Sequence, residues 1–385
     1  MKTLGIIAEY NPLHNGHKYH IDEAKRVSGA DLVIAIISGS FNQRGQMCVR
    51  NKWDGARWAL ENGVDLVLEL PAVYATSNAG TFAKGGVKIL EALGVNCISF
   101  GAESDGDILI QLSKLLKEHQ DEIENKIKLL SKEGLSYPKA RELAISQFSD
   151  ISDLTEHLNK PNNILALEYL KNLEKAQPII VKRKGTGYND KAIDEFPSST
   201  AIRDLCQKGE DFSAFVPESV KEILTPDNEK LWEKAVLKAG QLDTSHIDAI
   251  NSADEGMGGL LKKNFRSTNG YDDLVEKMTS KRYTATRIQR FICQLVLDIK
   301  KEEVDREPIY GRILGFNKKG SEFIKKYKHK DEGITLITNI NKEKNLDEEV
   351  AASLEIDIRA NDLFNLMAGK DLYDDSDYVK QPVII

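Results

Sequence analysis

The sequence lacks the features of several protein classes. Its four cysteines, Cys48, Cys97, Cys206 and Cys293, are scattered without a Cys-x-x-Cys pair, which argues against a disulfide framework or a zinc site and favours a reducing compartment. No apolar run approaches the roughly 20 residues of a membrane span, and no basic-then-apolar leader opens the chain. We therefore expect a cytoplasmic protein without membrane contact, and nothing in the sequence indicates an obligate protein partner.

Positive charge is not in excess either. The chain has 53 lysines and arginines against 60 aspartates and glutamates, a net charge of −7. This balance argues against a uniformly basic nucleic-acid binder, although a local basic face is compatible with it because steering depends on how charge is distributed.

The first hundred residues alternate between short apolar runs and helical patterns. Strand-like runs cover residues 4–8, 31–38, 65–70 and 96–101, with amphipathic segments between them. Such alternation predicts a parallel α/β sheet with right-handed crossovers. Ligands of these sheets bind beyond the carboxyl ends of the strands.

One of these ends carries an unusual loop. The first strand breaks at Asn11-Pro12, and His14-Asn-Gly-His17 follows where a helix begins. Two imidazoles three residues apart at a helix N-terminus would project toward one spot, where backbone N–H groups and the helix dipole already favour an anion. The pattern suits stabilisation of a polyphosphate during bond cleavage, although two such histidines can equally be surface or core residues.

A second phosphate-like pattern lies far along the chain. Pro197-Ser-Ser-Thr-Ala-Ile-Arg203 places hydroxyls at a helix start and an arginine one turn later. Ser199 or Thr200 could simply cap the helix, but capping does not require Arg203, which suits a phosphate. The two patterns together resemble the nucleotidyltransferase superfamily with His-x-Gly-His near the N-terminus, whose Rossmann-like sheet binds ATP.

The domain organisation follows from this periodicity. We predict a nucleotidyltransferase-like ATP-binding domain over residues 1–208, with a helical insertion at about 105–150 and a fifth strand at 179–183. A mainly α-helical C-terminal domain, which we expect to contact RNA, would cover residues 209–385, with a helix predicted at 217–224 and a small α/β element at its end.

Seven blocks in chain order narrow the resemblance. They are Ala8-Glu-Tyr-Asn-Pro-Leu-His-Asn-Gly-His17, Gln43-Arg-Gly45, Ala59-Leu-Glu-Asn-Gly-Val-Asp-Leu-Val-Leu-Glu-Leu-Pro71, Ser99-Phe-Gly-Ala-Glu103, Lys160-Pro-Asn-Asn-Ile-Leu165, Ser198-Ser-Thr-Ala-Ile-Arg203 and Lys281-Arg-Tyr-Thr-Ala-Thr-Arg-Ile-Gln-Arg290. The set resembles the bacterial tRNA(Met) cytidine acetate ligase family. Residues beyond about 300 carry none of these blocks.

The resemblance implies an activity and a nucleotide site. Acetate and ATP would form acetyl-adenylate, and the N4 amine of the wobble cytidine of elongator tRNA(Met) would then take the acetyl group to give N4-acetylcytidine. His14 and His17 would be catalytic. The implied nucleotide-binding residues are Ile7, Ala8, Glu9, Tyr10, Asn11, Pro12, Leu13, His14, Asn15, Gly16, His17, Lys18, Tyr19, His20, Gly101, Asn162, Arg183, Ser199, Thr200 and Arg203. Without the family, Gly101 could simply end a strand, Asn162 could cap a helix, and Arg183 could be a surface residue.

Partners and ions follow from the same chemistry. Mg²⁺ is expected on the triphosphate, yet no carboxylate cluster demands a metal held by protein; Glu9 and Glu69 are the nearest carboxylates. The candidate RNA contacts are Arg44, Arg50, Lys182, Lys184, Lys281, Arg282, Arg287 and Arg290. The basic block from 281 to 290, with Tyr283 among its cations, would suit an RNA backbone, but it could equally be an amphipathic helix with a solvated face.

Two other functions are compatible with these patterns. An adenylyltransferase that acts on a small mononucleotide-type substrate would share both phosphate motifs but would not need the long helical extension. A non-catalytic nucleotide- or RNA-binding protein would keep the pocket, although it could dispense with His14, His17 and Arg203.

Overall fold

A computed structural model describes residues 1–135, 137–148, 154–184, 196–253, 256–327, 333–342, 346–373 and 375–385. Its centre is an eight-stranded sheet in the order β5-β4-β1-β2-β3-β6-β7, with β8 also paired to β6. The strands are β1 (Thr3–Ala8), β2 (Leu32–Ser38), β3 (Leu66–Leu70), β4 (Cys97–Ala102), β5 (Gln177–Lys182), β6 (Tyr310–Phe316), β7 (Thr335–Ile337) and β8 (Val383–Ile384).

Strands β1 to β5 are mutually parallel, as the alternating pattern predicts. The central strand β2 is buried along its whole length, which is typical of a parallel strand with helices on both faces. The first helices of the chain are α1 (Asn15–Ser28), α2 (Lys52–Glu61), α3 (Ala72–Ala75) and α4 (Ala79–Leu93). The α/β prediction for this part of the chain is confirmed.

Among the described residues between β4 and β5, all the regular elements are helices. They are α5 (Gly106–Glu118), α6 (Gln120–Lys132), α7 (Tyr137–Ile145), α8 (Leu154–Asn159) and α9 (Pro161–Asn172). The helical character predicted for about 105–150 agrees with α5, α6 and α7, although the end of that range lies outside the described residues. Helix α9 packs on α4 and α5 and thereby reaches the ligand edge of the sheet.

A second helical region follows α10 (Ser199–Gln207). It comprises α11 (Glu229–Gln241), α12 (Thr244–Asp248), α13 (Met257–Asn264), α14 (Tyr271–Met278), α15 (Ala285–Leu297) and α16 (Lys301–Asp305). The helix predicted at 217–224 is wrong. That segment is irregular, and the Leu224 N–H donates to the Val49 carbonyl at 2.7 Å instead of to its own turn.

The predicted domain boundary at 208/209 needs a correction, because the sheet continues across it. Strand β6 pairs antiparallel with β3, and β7 and β8 extend the sheet from the other edge of β6. The last helices, α17 (Lys318–Tyr327) and α18 (Glu348–Met367), lie in this same part of the chain. The sequence could not show this, because β6 pairs with a strand more than 200 residues earlier in the chain. Without β6, that edge of β3 would be exposed and could pair with another chain.

Within the described part of the chain, no helix is both long enough and apolar enough to cross a membrane. None of the four cysteines, all of them described, forms a disulfide.

Candidate active site

The loop between β1 and α1 builds one wall of the site. His14 caps α1 in extended geometry, and its Nδ1 accepts the Gly16 N–H at 3.0 Å. The His14 N–H in turn donates to Nδ1 of His17 at 3.3 Å. The two rings stack with centroids 3.7 Å apart. Because both Nδ1 atoms accept, each neutral ring carries its proton on Nε2, so both Nε2–H groups can donate to a ligand.

Burial keeps the histidines of this loop uncharged. Burial, together with the nearby Arg183 and Arg203, lowers the pKa of His14 to about 3. Burial, together with His14 and Arg183, also holds the pKa of His17 well below its usual value. His20, which lies 2.9 Å from the Ser99 hydroxyl, has its pKa lowered to about 4, mainly by burial. The site therefore offers neutral imidazole donors near neutral pH.

The second phosphate-like pattern forms the opposite wall. The cap of α10 is Ser198, whose hydroxyl accepts the Ala201 N–H at 3.2 Å. The alternative explanation of Ser199 and Thr200 as the helix cap therefore does not hold. Arg203 donates to the Asn11 carbonyl at 2.6 Å and to the Thr200 hydroxyl at 3.0 Å. The arginine thus joins two motifs that are nearly two hundred residues apart in sequence.

Between these walls lies a cavity of about 470 Å³ at the carboxyl ends of β1, β4 and β5. Most of the predicted nucleotide-binding residues line it: Ile7, Ala8, Glu9, His14, Gly16, His17, Tyr19, His20, Gly101, Asn162, Arg183, Ser199, Thr200 and Arg203. Its volume and its mixture of apolar and polar walls suit a nucleotide.

The other six residues of the predicted stretch lie outside the cavity lining. Tyr10, Asn11, Pro12 and Leu13 are buried beneath the loop, where the Asn11 side-chain oxygen accepts the Val49 N–H at 2.7 Å. The Asn15 amide donates to the Ala214 carbonyl, and Lys18 pairs with Asp22 on the exposed face of α1. Within this stretch, residues that line the cavity alternate with residues that support the loop. The sequence alone does not distinguish the two kinds.

Two of the isolated residues have partners in the protein itself. The Asn162 amide donates to Glu103 Oε1 at 2.6 Å, and Glu103 also accepts the Asn163 N–H at the start of α9. A Cβ on Gly101 would lie 3.4 Å from Cγ of Arg183. This is an ordinary van der Waals contact, so Gly101 borders the arginine stem at the cavity wall but is not required there to make room for it.

Arg50, a predicted RNA contact, is buried, and this prediction is wrong. Its side chain is 2% exposed. It donates to the carbonyls of Glu9, Tyr10, Ser38 and Gly39 at 2.7–3.1 Å. These carbonyls end β1 and β2, so Arg50 holds the loop of His14 in place, and the sequence showed its charge but not its burial.

The remaining basic candidates fall into two groups. Arg44, Lys182 and Lys184 line the cavity; Lys182 pairs with Asp105 at 2.8 Å, and Lys184 lies 4.3 Å from the centre of the Tyr19 ring. The other group is the basic block at the start of α15, with Lys281 and Arg282 exposed and Arg287 and Arg290 half-buried.

Tyr283 does not interleave with these cations as a free aromatic. It is 6% exposed, with the guanidinium groups of Arg282 and Arg287 5.4 and 5.8 Å from its ring centre. Burial lowers the pKa of Arg290 to about 10, with Arg287 contributing. Tyr283 therefore packs beneath the arginines of the block and holds them in place, so its ring is not available to stack on a base.

Several lining residues escaped sequence reasoning. An aromatic and aliphatic wall comes from α4, β4 and α9, with the Phe100 and Tyr169 ring centres 5.1 Å apart. Gln43, Phe196 and Thr286 also line the cavity. The block Gln43-Arg-Gly45 could have indicated Gln43. The apolar wall could not be predicted, because its residues have the sequence pattern of an ordinary hydrophobic core.

Comparisons with known proteins identify the family of this chain. The family model HIGH Nucleotidyl Transferase matches residues 1–377. A tRNA(Met) cytidine acetate ligase of Thermoanaerobacter sp. (strain X514) is 38% identical, with 95% of each chain covered. One from Clostridium perfringens (strain SM101 / Type A) is 36% identical over 100% of both chains. The chain belongs to the tRNA(Met) cytidine acetate ligase family.

Solved structures extend this assignment to three dimensions. Thermotoga maritima TmcAL in its apo form superposes with a TM-score of 0.90 at 30% identity over 100% of both chains. The same Thermotoga protein bound with alpha-thio ATP gives a TM-score of 0.89, with 100% of this chain and 99% of that one covered. The fold described above is therefore that of the ligase family, and a relative with this fold binds an ATP analogue.

Proposed function

We propose that the protein is an ATP-dependent tRNA(Met) cytidine acetate ligase. An acetate oxygen attacks the α-phosphorus of ATP, the bond between the α- and β-phosphates breaks, and pyrophosphate leaves. The N4 amine of the wobble cytidine then attacks the acetyl carbon, AMP leaves, and the amine loses a proton to give N4-acetylcytidine. The observation that carries the proposal is the cavity in which both phosphate-like motifs meet.

The residues of this cavity suit the first step. Acetate is already ionised near neutral pH, so the step needs positioning and charge stabilisation more than a base. The Nε2–H groups of His14 and His17 and the N-terminus of α1 would donate to the phosphate oxygens as charge moves onto the leaving pyrophosphate. Arg183 and Arg203 would supply positive charge without any need to protonate a histidine.

Magnesium fits as an ion carried by the triphosphate. The described residues include no group of three or more histidine, cysteine or acidic side chains placed to hold a metal. Glu69 is paired with Lys52 at 2.8 Å, which removes it as a ligand. Glu9 is the one carboxylate among the described lining residues, so it would be the protein group nearest to such an ion, which would screen the triphosphate charge.

The RNA would approach from the basic block. The cavity lining includes Thr286, which lies inside that block. A Cβ on Gly45 would come within 3.0 Å of the Gln289 and Arg290 backbone, so the loop that carries Arg44 packs directly on α15. We therefore assign Lys281, Arg282, Arg287 and Arg44 to the anticodon arm of elongator tRNA(Met), a substrate that belongs to the cytoplasm.

The test is mass analysis of nucleosides from unmodified elongator tRNA(Met) incubated with the protein, ATP, Mg²⁺ and labelled acetate. We expect labelled N4-acetylcytidine, and none when ATP or acetate is omitted. AMP transferred to a small acceptor, without acetylated cytidine, would instead favour an adenylyltransferase. Absence of any turnover would contradict both enzymes and leave a nucleotide- or RNA-binding protein.

A further inference from the structure

A second cavity of about 300 Å³ opens beside the first. Arg44, Thr200 and Arg203 belong to the walls of both, so a ligand in one lies next to a ligand in the other. The rest of its wall comes from the loop before α2, from α10, from the irregular segment 223–228 and from Asp272 at the start of α14. The second phosphate-like motif contributes Thr200 and Arg203 to this cavity, and the other lining residues belong to neither motif.

Its chemistry differs from that of the first cavity. Besides the three shared residues, its wall includes the carboxylates of Asp204 and Asp272 and the amides of Asn42, Gln46, Gln207 and Asn228. Carboxylates repel phosphate and acetate, whereas carboxylate and amide oxygens accept from amines. Apolar side chains complete the wall, among them Met47 and Leu224. This combination suits a nucleobase, which is flat, apolar on its faces and polar along its edge.

One polar atom of this wall calls for a donor. Among the described residues, the Asn228 side-chain oxygen is buried and has no hydrogen-bond partner. Asn228 stands at the start of α11 but makes no capping bond with its side chain. A buried acceptor without a hydrogen bond costs about 1–3 kcal/mol. A ligand that donates a hydrogen bond to this oxygen would regain that free energy.

We infer that the second cavity binds the wobble cytosine of the tRNA after that base has left the anticodon stack. Cytosine carries one exocyclic amine and two ring acceptors along its Watson–Crick edge. An oxygen such as that of Asn228 accepts from the amine, and the amides of Gln46 and Gln207 can donate to the acceptors. The shared wall places the base next to the acetyl-adenylate. This inference rests on the proposed ligase function.

The test separates the two steps of the reaction. Step one is acetate-dependent exchange of labelled pyrophosphate into ATP without tRNA, and step two is transfer of labelled acetyl to tRNA. In Asn228→Ala we expect exchange within twofold of the unmodified protein and transfer kcat/KM reduced about tenfold, the size of one lost hydrogen bond. Asn228→Asp keeps an acceptor and should restore most of the transfer.

Gln241→Ala is the matched control. It removes an exposed amide from the far end of α11, about 20 Å away at 1.5 Å per residue, and both steps should be unchanged. Unchanged transfer in Asn228→Ala would overturn the inference. So would an equal loss of exchange and transfer, because the cavity would then serve adenylation.

Binding of short RNA keeps this test independent of turnover. Two anticodon stem-loops of elongator tRNA(Met), with cytidine or uridine at the wobble position, are titrated into the unmodified protein and into Asn228→Ala. We expect the unmodified protein to prefer cytidine by about tenfold and the variant to lose that preference. A preference that survives in the variant would overturn the inference, whereas absence of both exchange and transfer in the unmodified protein would count against the ligase function alone.

Discussion

Two groups of polar side chains lie along the same carboxyl edge of the sheet: one is fully buried, and the other borders a cavity. We call one the ion cluster: Lys52, Glu69, Arg312 and Asp377, each at most 2% exposed. Lys52 Nζ lies 2.8 Å from both Glu69 and Asp377, and Arg312 lies 3.7 Å from Asp377. The other group is the first cavity, where His14, His17, Arg183 and Arg203 face a space large enough for a nucleotide.

The contrast separates structure from binding. In the ion cluster, the carboxylates outweigh burial and raise the pKa of Lys52, so the charges compensate one another and join α2, β3 and β6 to the C-terminal segment. In the first cavity, burial itself lowers the histidine pKa values, because no carboxylate partner offsets it, and the nearby arginines add to the effect. A site that gathers donors and positive charge around a space requires an anionic ligand to complete it.

The largest expected effect comes from breaking the ion cluster. Lys52→Met leaves the Glu69 and Asp377 carboxylates buried beside each other, which we expect to reduce the free energy of unfolding by about 3–5 kcal/mol. Urea denaturation measures it. Lys88→Met is the control: its pair with Glu174 has a similar 2.7 Å separation but is partly exposed, so its loss should be under about 1 kcal/mol. Equal losses in the two variants would contradict the contrast.

The next effect concerns catalysis in the first cavity, and its cost in stability should be limited to about 1 kcal/mol where the cap of α1 is lost. His14→Ala and His17→Ala each remove an Nε2–H donor, and we expect acetate-dependent pyrophosphate exchange to fall by about 10²–10³-fold. His246→Ala, an exposed position on α12, is the control and should retain full exchange. If exchange in either site variant stayed within twofold of the unmodified protein, that histidine would have no role in stabilising the leaving group.

A smaller effect is a dependence of stability on pH. The pKa values of His14 and His20 in the folded protein are about 3 and about 4, below the value of about 6.5 expected when unfolded. Between these limits the unfolded chain binds more protons, so stability falls as pH is lowered from about 6.5, by about 1.4 kcal/mol per pH unit for each histidine.

Carboxylates also titrate in this range. The informative quantity is therefore the difference in the pH dependence of the unfolding free energy between a histidine variant and the unmodified protein. We expect His20→Gln to show a shallower loss of unfolding free energy from pH 6.5 to 4.5, by one histidine's contribution. Denaturation at several pH values gives both slopes. Identical slopes would mean that His20 is not buried in its neutral form.

The smallest effect is expected at the exposed basic block. Lys281→Glu with Arg282→Glu should weaken tRNA binding and reduce the slope of log affinity against log salt by about 0.7–0.9 per lost phosphate contact. Pyrophosphate exchange without tRNA should not change. Lys128→Glu with Lys132→Glu, on helix α6, is a control of equal charge change. An unaltered slope in the basic-block variant would remove these residues from the RNA interface.

Sequence patterns predicted the local features of this chain. The apolar β-branched runs predicted β1 to β4, the break at Asn11-Pro12 predicted the loop, and the pairing of His-x-Gly-His with Ser-Ser-Thr-x-x-Arg predicted a phosphate site. Each of these depends on neighbours within a few residues, where backbone propensity and side-chain spacing decide the outcome. The family resemblance added the order of the blocks along the chain.

Only the tertiary structure shows which charged side chains face a cavity and which are buried in support of the fold. Arg44 and Arg50 are six residues apart in one polar loop, yet Arg44 lines the cavities while Arg50 is buried against four carbonyls. Likewise, β6 looked like part of a separate C-terminal unit but completes the main sheet. Sequence by itself fixes the charge and local conformation of a residue, whereas burial and long-range strand pairing depend on which distant segments pack beside it, because desolvation and pairing energies arise only between groups brought together by the fold.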